Sequence, residues 1–377
     1  MLNRRTIRIK VMQSLFAYEQ CCEADFELAK DQLIQRFSPD LNSMEVQDKA
    51  LLKARQHQSL QLIEVQRSGE VAVEPGTDPL IAEAVEEALK GYRKRVKDDF
   101  NFLRQNTVKE IGDLEAVYHA VLNLLPAFAD VAAADKRGNH RNFITNPVIL
   151  QIRKDRELAL DAKKPVSGWD TRMDKVRGWF RDVVRNDETY QQYNLQESPT
   201  EESHLSVLRH LLRRLILGET LIAGYFEEEH IRWMEDREII KGLAEKSLKT
   251  ARSAGEFQLQ KLSLEWDEDK AFVDKLFDHA ANLPEKFKSL VAKNTKGWEV
   301  DRLPLTDRII LHMAIAEFTA LPNVPIKVTI NEYIELAKDY STPKSRQFIN
   351  GILDVIAKEL KKSGDLKKSG RGLIDNK

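Results

Sequence analysis

Apolar residues recur three and four positions apart along nearly the whole chain, and no convincing run of period-two alternation bounded by hairpin turns interrupts them. The pattern predicts an all-α protein. At the amino end, Ile7, Val11, Leu15 and Tyr18 fall on one helical stripe, with Arg5, Arg8 and Met12 on a second stripe beside it. Between residues 25 and 255 the spacing predicts helices at 44–67, 78–104, 108–133, 147–163, 170–190, 202–227 and 231–252. Loop-forming stretches such as SPDLNS, KRGNHRNFITNP, AKKPVSGWD and LQESPTEES separate them. Leu205, Leu208, Leu212 and Leu215 carry the spacing of bundle packing.

The last third is more sharply patterned. Phe272, Leu276 and Ala280 share a face, with Asp267 as a candidate cap, and a second helix is expected over 284–294. After a break at Gly297, RLPLTDRIILHMAIAEFTAL is apolar on almost every side, so it should be the centre of the core. Pro322 and Pro325 stop it, and IKVTINEYIELAKDY then forms an amphipathic helix. Thr342 and Pro343 should start the last helix, Thr as the hydroxyl cap and Pro at the first helical position. Residues beyond Ser363, rich in Lys, Gly and Ser, read as a frayed tail.

Composition adds limits. With 377 residues and a net charge of -1, the chain is long enough for two or three domains, and global charge predicts no partner. No stretch of 18 apolar residues exists, so no membrane span is expected. Cys21 and Cys22 are adjacent and cannot frame a disulfide scaffold, which fits a reducing, cytoplasmic setting. The opening MLNRRTIRIKVMQSLFAYEQ holds four basic residues before its first acid, Glu19. Arg8, Lys10, Gln13 and Ser14 interrupt any secretory apolar core. An organellar transit peptide, a polyanion-binding surface and a first core helix all remain open on the residues alone.

The candidate chemistry is cationic. Arg4, Arg5, Arg8 and Lys10 place four charges in two turns near a helix N-terminus, where aligned N–H groups also favour an anion. A second basic element, Lys344 and Arg346 with Gln347, opens the last helix. Such cations hold phosphates, while planar or amide groups meet bases. Gly-rich phosphate loops and H-E-x-x-H, paired C-x-x-C and G-x-S-x-G motifs are missing from the sequence. The eight histidines are scattered, with His204 and His210 six apart, so packing or surface roles are expected of them. The run Glu227 to Glu229 reads as a solvated face. No catalytic centre, metal or cofactor is therefore expected.

Several segments together resemble the NusB family of transcription antitermination factors. They are RRTIRIKVMQSLFAYEQ at 4–20, FVDKLF at 272–277, WEVDRLPLTDRIILHMAIAEF at 298–318 and VPIKVTINEYIELAKDYSTPKSRQFINGILDVIAKEL at 324–360. The last carries the order P-I-K-V-T-I-N-E, E-L-A-K, F-I-N-G-I-L-D. The resemblance implies a NusB-like first helix at 1–24, a helical insertion at 25–255, a C-terminal bundle at 256–362 and a flexible tail at 363–377. It makes the basic first helix part of the mature fold, disfavouring a transit peptide.

The resemblance also implies a non-enzymatic factor that binds boxA-like single-stranded RNA together with NusE, a small-subunit ribosomal protein, within the RNA polymerase antitermination complex. By family position, Arg4, Arg5, Arg8, Lys10, Lys327, Lys344, Arg346 and Gln347 are the expected RNA contacts. Asp307, Glu317, Glu332 and Tyr340 are candidate contacts to the basic protein partner. Some NusB-like proteins self-associate, so a homodimer is a further candidate assembly. The family's small alanines are replaced by Ile7 and Val11, which implies altered packing of the first helix. The alternative is a helical scaffold whose insertion binds a protein partner. A NusB-like domain also precedes the catalytic domain of certain ribosomal RNA cytosine methyltransferases, but no cofactor-binding α/β pattern follows here.

Overall fold

The structure, a computed structural model, describes residues 2–42, 44, 46–67, 77–218, 221–251, 257–294 and 303–376. All its regular elements are helical, with no strand among the described residues. In chain order the α-helices are α1 (Arg4–Arg36), α2 (Lys49–Arg67), α3 (Pro79–Ala134), α4 (Arg141–Ile144), α5 (Pro147–Lys154), α6 (Arg156–Asp161), α7 (Met173–Trp179) and α8 (Glu188–Leu195). They continue as α9 (Glu201–His210), α10 (Leu221–Glu229), α11 (Trp233–Thr250), α12 (Trp266–Ala281), α13 (Glu285–Asn294), α14 (Leu305–Ala320), α15 (Ile326–Tyr340) and α16 (Ser345–Ser363). The chain divides into two compact units, one of Met1–Thr6 with Lys109–Asp269, the other of Ile7–Val108 with Lys270–Lys377.

The second unit contains the C-terminal bundle. Ile309, Ile310, Leu311, Met313, Ala314, Ile315, Ala316 and Phe318 of α14 are all buried, as the nearly all-round apolar pattern predicts for a central helix. The opening stripe of α1 is buried too, with Ile7 and Val11 wholly enclosed. Farther along α1, Phe26, Ala29 and Leu33 join Ile63 of α2 and Ile81, Val85 and Leu89 of α3 in a separate apolar cluster. Helix α1 therefore runs twelve residues past the expected end at 24, because its second half has its own apolar partners.

The first unit is built on the later part of α3. Trp169 donates its indole N–H to Ala120 O at 2.8 Å and stacks edge-on with Trp179 and Phe226, while Phe226 lies nearly parallel to Trp233. Local chemistry explains where the helices depart from expectation. The separate helices expected at 78–104 and 108–133 are one, since Thr107 satisfies its hydroxyl on Leu103 O and on Ser14 without ending the helix. Conversely, the single helix expected at 147–163 breaks at Asp155, whose carboxylate caps Glu157 N and Leu158 N. Asp187 starts a further helix at the end of the expected 170–190 segment by accepting from Tyr190 N, Thr200 caps the start of the one expected at 202–227 by accepting from Ser203 N, and π-helical turns occupy Phe180–Val184 and Leu211–Ile216.

Three expectations about the C-terminal part need revising or lie outside the description. Residues 364–376 are held against the bundle and are not frayed. Lys368 donates to Glu317 O and Leu321 O, Ser369 N bonds Pro322 O, and a 3₁₀ segment follows over Gly370–Asn376. Thr342 pairs with the Ser345 hydroxyl instead of capping a helix at Pro343, and α16 starts at Ser345. The expected break at Gly297 lies outside the described residues. One window of α3 has the length and hydropathy of a membrane span, but 78% of that window is buried within the protein, as in a core helix.

Burial on α14 makes a pH prediction. His312 is pushed down to about 4 by burial, with Arg308 and Lys288 adding to the effect. Its folded pKa lies below the unfolded value, so the unfolded chain binds the proton first and stability falls as pH drops from about 6.5 towards 4. Between pH 6.5 and 5 the loss should be on the order of 2 kcal/mol. Urea midpoints across that window check it: His312→Leu should flatten the slope, and an unchanged slope would assign the effect elsewhere.

Candidate nucleic-acid interface

The residues expected to meet RNA fall into different environments. Arg8 is buried, not presented to solvent. Its Nε and Nη2 donate to the two carboxylate oxygens of Glu317 at 2.8 and 2.7 Å, and its guanidinium lies over Phe272 and Tyr333. Glu317, wholly buried, also accepts from Thr329 Oγ1 at 2.8 Å and Tyr333 OH at 3.1 Å. Burial acts to lower the Arg8 pKa, but the Glu317 hydrogen bond and charge outweigh it, leaving the group above its ordinary value. Arg8 and Glu317 are therefore an internal bolt joining α1, α14 and α15, and both leave the list of surface contacts.

Lys10 is also buried, which removes its ammonium from the expected cationic face. Arg4 is partly exposed and pairs with Asp269 at 3.3 Å. Arg5 is half-buried. Asp307 was expected to face a basic partner but is buried, accepting from the hydroxyls of Ser341 and Ser345. Glu332 is half-buried, 3.6 Å from Arg8 Nη1, and Tyr340 is half-buried near the end of α15.

Of the expected contacts in the C-terminal bundle, four are exposed, and three of them share one turn. Lys344, Arg346 and Gln347 are exposed at the N-terminus of α16, and Lys327 is exposed at the start of α15. Arg346 lies 4.0 Å from Glu335, a separation at which solvent weakens the attraction. The positive end of the α16 dipole lies beside Lys344, although Ser345 N–H is itself taken up by Thr342 O. Buried Asp307 holds this turn from beneath through Ser341 and Ser345. The turn thus combines a fixed backbone, cations and an amide, the groups that bind a phosphate chain and its bases.

The second unit of the chain also contains a cavity of about 270 Å³ lined by Tyr18, Tyr92, Arg93, Val96, Lys97, Phe100 and Asn282. Its rings and cations were not singled out in the sequence. Tyr92, Val96 and Phe100 follow one another at four-residue spacing on α3, a pattern that reads as ordinary core packing.

The second unit is thus of the all-helical bundle class, with an exposed cationic turn at one helix start. Comparison with known sequences makes this specific. The model of the NusB family matches residues 233–358. Transcription antitermination protein NusB of Salinibacter ruber is 40% identical over 111 residues, 29% of this chain and 69% of that protein. Its counterparts in Chloroherpeton thalassium and Koribacter versatilis are 44% identical over 106 residues and 42% over 94. Those matches take in 28% and 25% of this chain, and 50% and 64% of the two relatives. The chain belongs to the NusB family. It spans half the length of the Chloroherpeton relative, and the family match begins at α11 and excludes α1. No solved structure matches the chain.

Proposed function

We propose that the chain is a non-catalytic, RNA-binding transcription antitermination factor that acts on ribosomal RNA operons by binding a boxA-like single strand together with NusE. The observation that carries this reading is the exposed turn of Lys344, Arg346 and Gln347, anchored by buried Asp307, within the region matched to the family. Lys327 extends the cationic set on the same unit, and Arg4 and Arg5 are further proposed contacts on α1. Glu332 and Tyr340 are proposed to face NusE. The RNA polymerase antitermination complex is the larger assembly, and a cytoplasmic setting follows from that role.

Salt dependence tests the reading. Neutralising about four phosphates of a single strand gives a slope of roughly -0.7 each, so a fourfold rise in salt should weaken binding on the order of 50-fold. Fluorescence anisotropy with a labelled boxA-like RNA should show that dependence and tighter binding with NusE added. Lys344→Ala with Arg346→Ala should reduce the slope by about 1.4, two contacts' worth. Unchanged affinity and slope in the double variant would remove this turn from the site. If the folded wild type binds no RNA with or without NusE, the scaffold reading, with residues 25–255 holding a protein partner, replaces this one.

A further inference from the structure

We infer that the first compact unit carries a divalent transition-metal site formed by Glu115, His119 and Glu157. Each offers a donor atom within 4.8 Å of the other two. Glu115 and His119 are one helical turn apart on α3, which places them on the same face, and Glu157 comes from the first turn of α6.

The imidazole points to a ligand. His119 is buried, its side chain 2% exposed, and its Nδ1 lies 2.6 Å from Asp161 Oδ2. A proton on Nδ1 directed at that carboxylate leaves Nε2 as a bare lone pair. Nε2 is buried and has no hydrogen-bond partner among the described residues. Leaving a buried acceptor unsatisfied is costly, and a metal ion bound there removes that penalty. Asp161 orients the imidazole as an outer carboxylate does in a carboxylate–histidine–metal arrangement.

The surroundings are built to hold the two helices together. Asn123, one turn beyond His119, donates to Leu158 O and Ser167 O, and Ser167 donates to Asp161 O. Leu158 is fully buried behind Glu157. Asp155 fixes the start of α6 by accepting from Glu157 N and Leu158 N. Lys164 forms its ion pair with Asp161. Glu157 is exposed, which gives an ion a route from solvent and lets its side chain close on the ion. Tetrahedral coordination at about 2.1 Å requires donors about 3.4 Å apart, a movement within reach of an exposed glutamate rotamer.

One imidazole and two carboxylates suit zinc and the neighbouring divalent ions, with water completing the coordination. Sequence spacing alone hides the set, because Glu157 lies 38 residues beyond His119 in the chain.

The test uses the full chain, stripped with chelator and free of affinity tags, titrated with cobalt(II) chloride and then zinc chloride. One equivalent of cobalt should develop visible absorption that zinc abolishes, and zinc should raise the thermal midpoint. Glu157→Gln, a change at an exposed position, should leave the circular dichroism spectrum intact and weaken cobalt binding by at least about tenfold. Asp161→Asn should weaken it by about 10–100-fold through the orientation of His119. No binding of either ion at micromolar concentration, or equal binding by wild type and Glu157→Gln, would overturn the site.

Discussion

Replacing Arg8 with alanine is expected to cost about 3–5 kcal/mol, because it leaves the Glu317 carboxylate buried without its cation. Thr329 and Tyr333 would still donate to Glu317, but two neutral hydroxyls do not replace a bidentate guanidinium. Pairing Arg8→Met with Glu317→Leu should recover most of the loss. The double change removes both charges, and Thr329 retains a second acceptor in Pro325 O, leaving Tyr333 OH as the group deprived of its acceptor. Urea unfolding of the wild type, the single variant and the double variant closes the cycle. A single variant within about 1 kcal/mol of wild type would return Arg8 to the solvent-facing role that its stripe suggests.

This expectation shows where sequence reading stops. Helical periodicity placed Ile7, Val11 and Leu15 on a buried stripe, and all three are buried. The same periodicity put Arg8 beside them, where a guanidinium reads as solvated because long cations are seldom buried unpaired. Its partner lies 309 residues away on α14. No local signal marks such a pair, although the one acid in the largely apolar IILHMAIAEF is the trace it leaves. Asp307 was misread for the same reason: its acceptors' use is set by Ser341 and Ser345, 34 and 38 residues on.

Helix identity was more legible than helix limits. Almost every expected segment is helical, because periodicity reports which face meets the core. Ends depend on single side chains whose choice between solvent and backbone is local and reversible, as with Asp155 and Thr107. The turn at the start of α16 was legible as a cluster of cations. Its support was not, since Asp307 reads equally as a first-turn acid favoured by the helix dipole of α14.

That support makes the remaining prediction separable from a loss of charge. Asp307→Ala is expected to cost about 2–3 kcal/mol, since Ser341 and Ser345 lose a shared acceptor and Ser345 is itself buried. Asp307→Asn, which retains one carbonyl acceptor, should cost less. Opening the turn lowers the fraction of chains with Lys344 and Arg346 held for a phosphate backbone, and apparent affinity falls by that same fraction. The cations themselves remain, so the salt slope for boxA-like RNA should stay at its wild-type value while the curve shifts to weaker binding. Lys344→Ala should do the reverse, flattening the slope by about 0.7 with little change in the urea midpoint. Loss of stability without loss of affinity in Asp307→Ala would place the RNA somewhere other than on this turn.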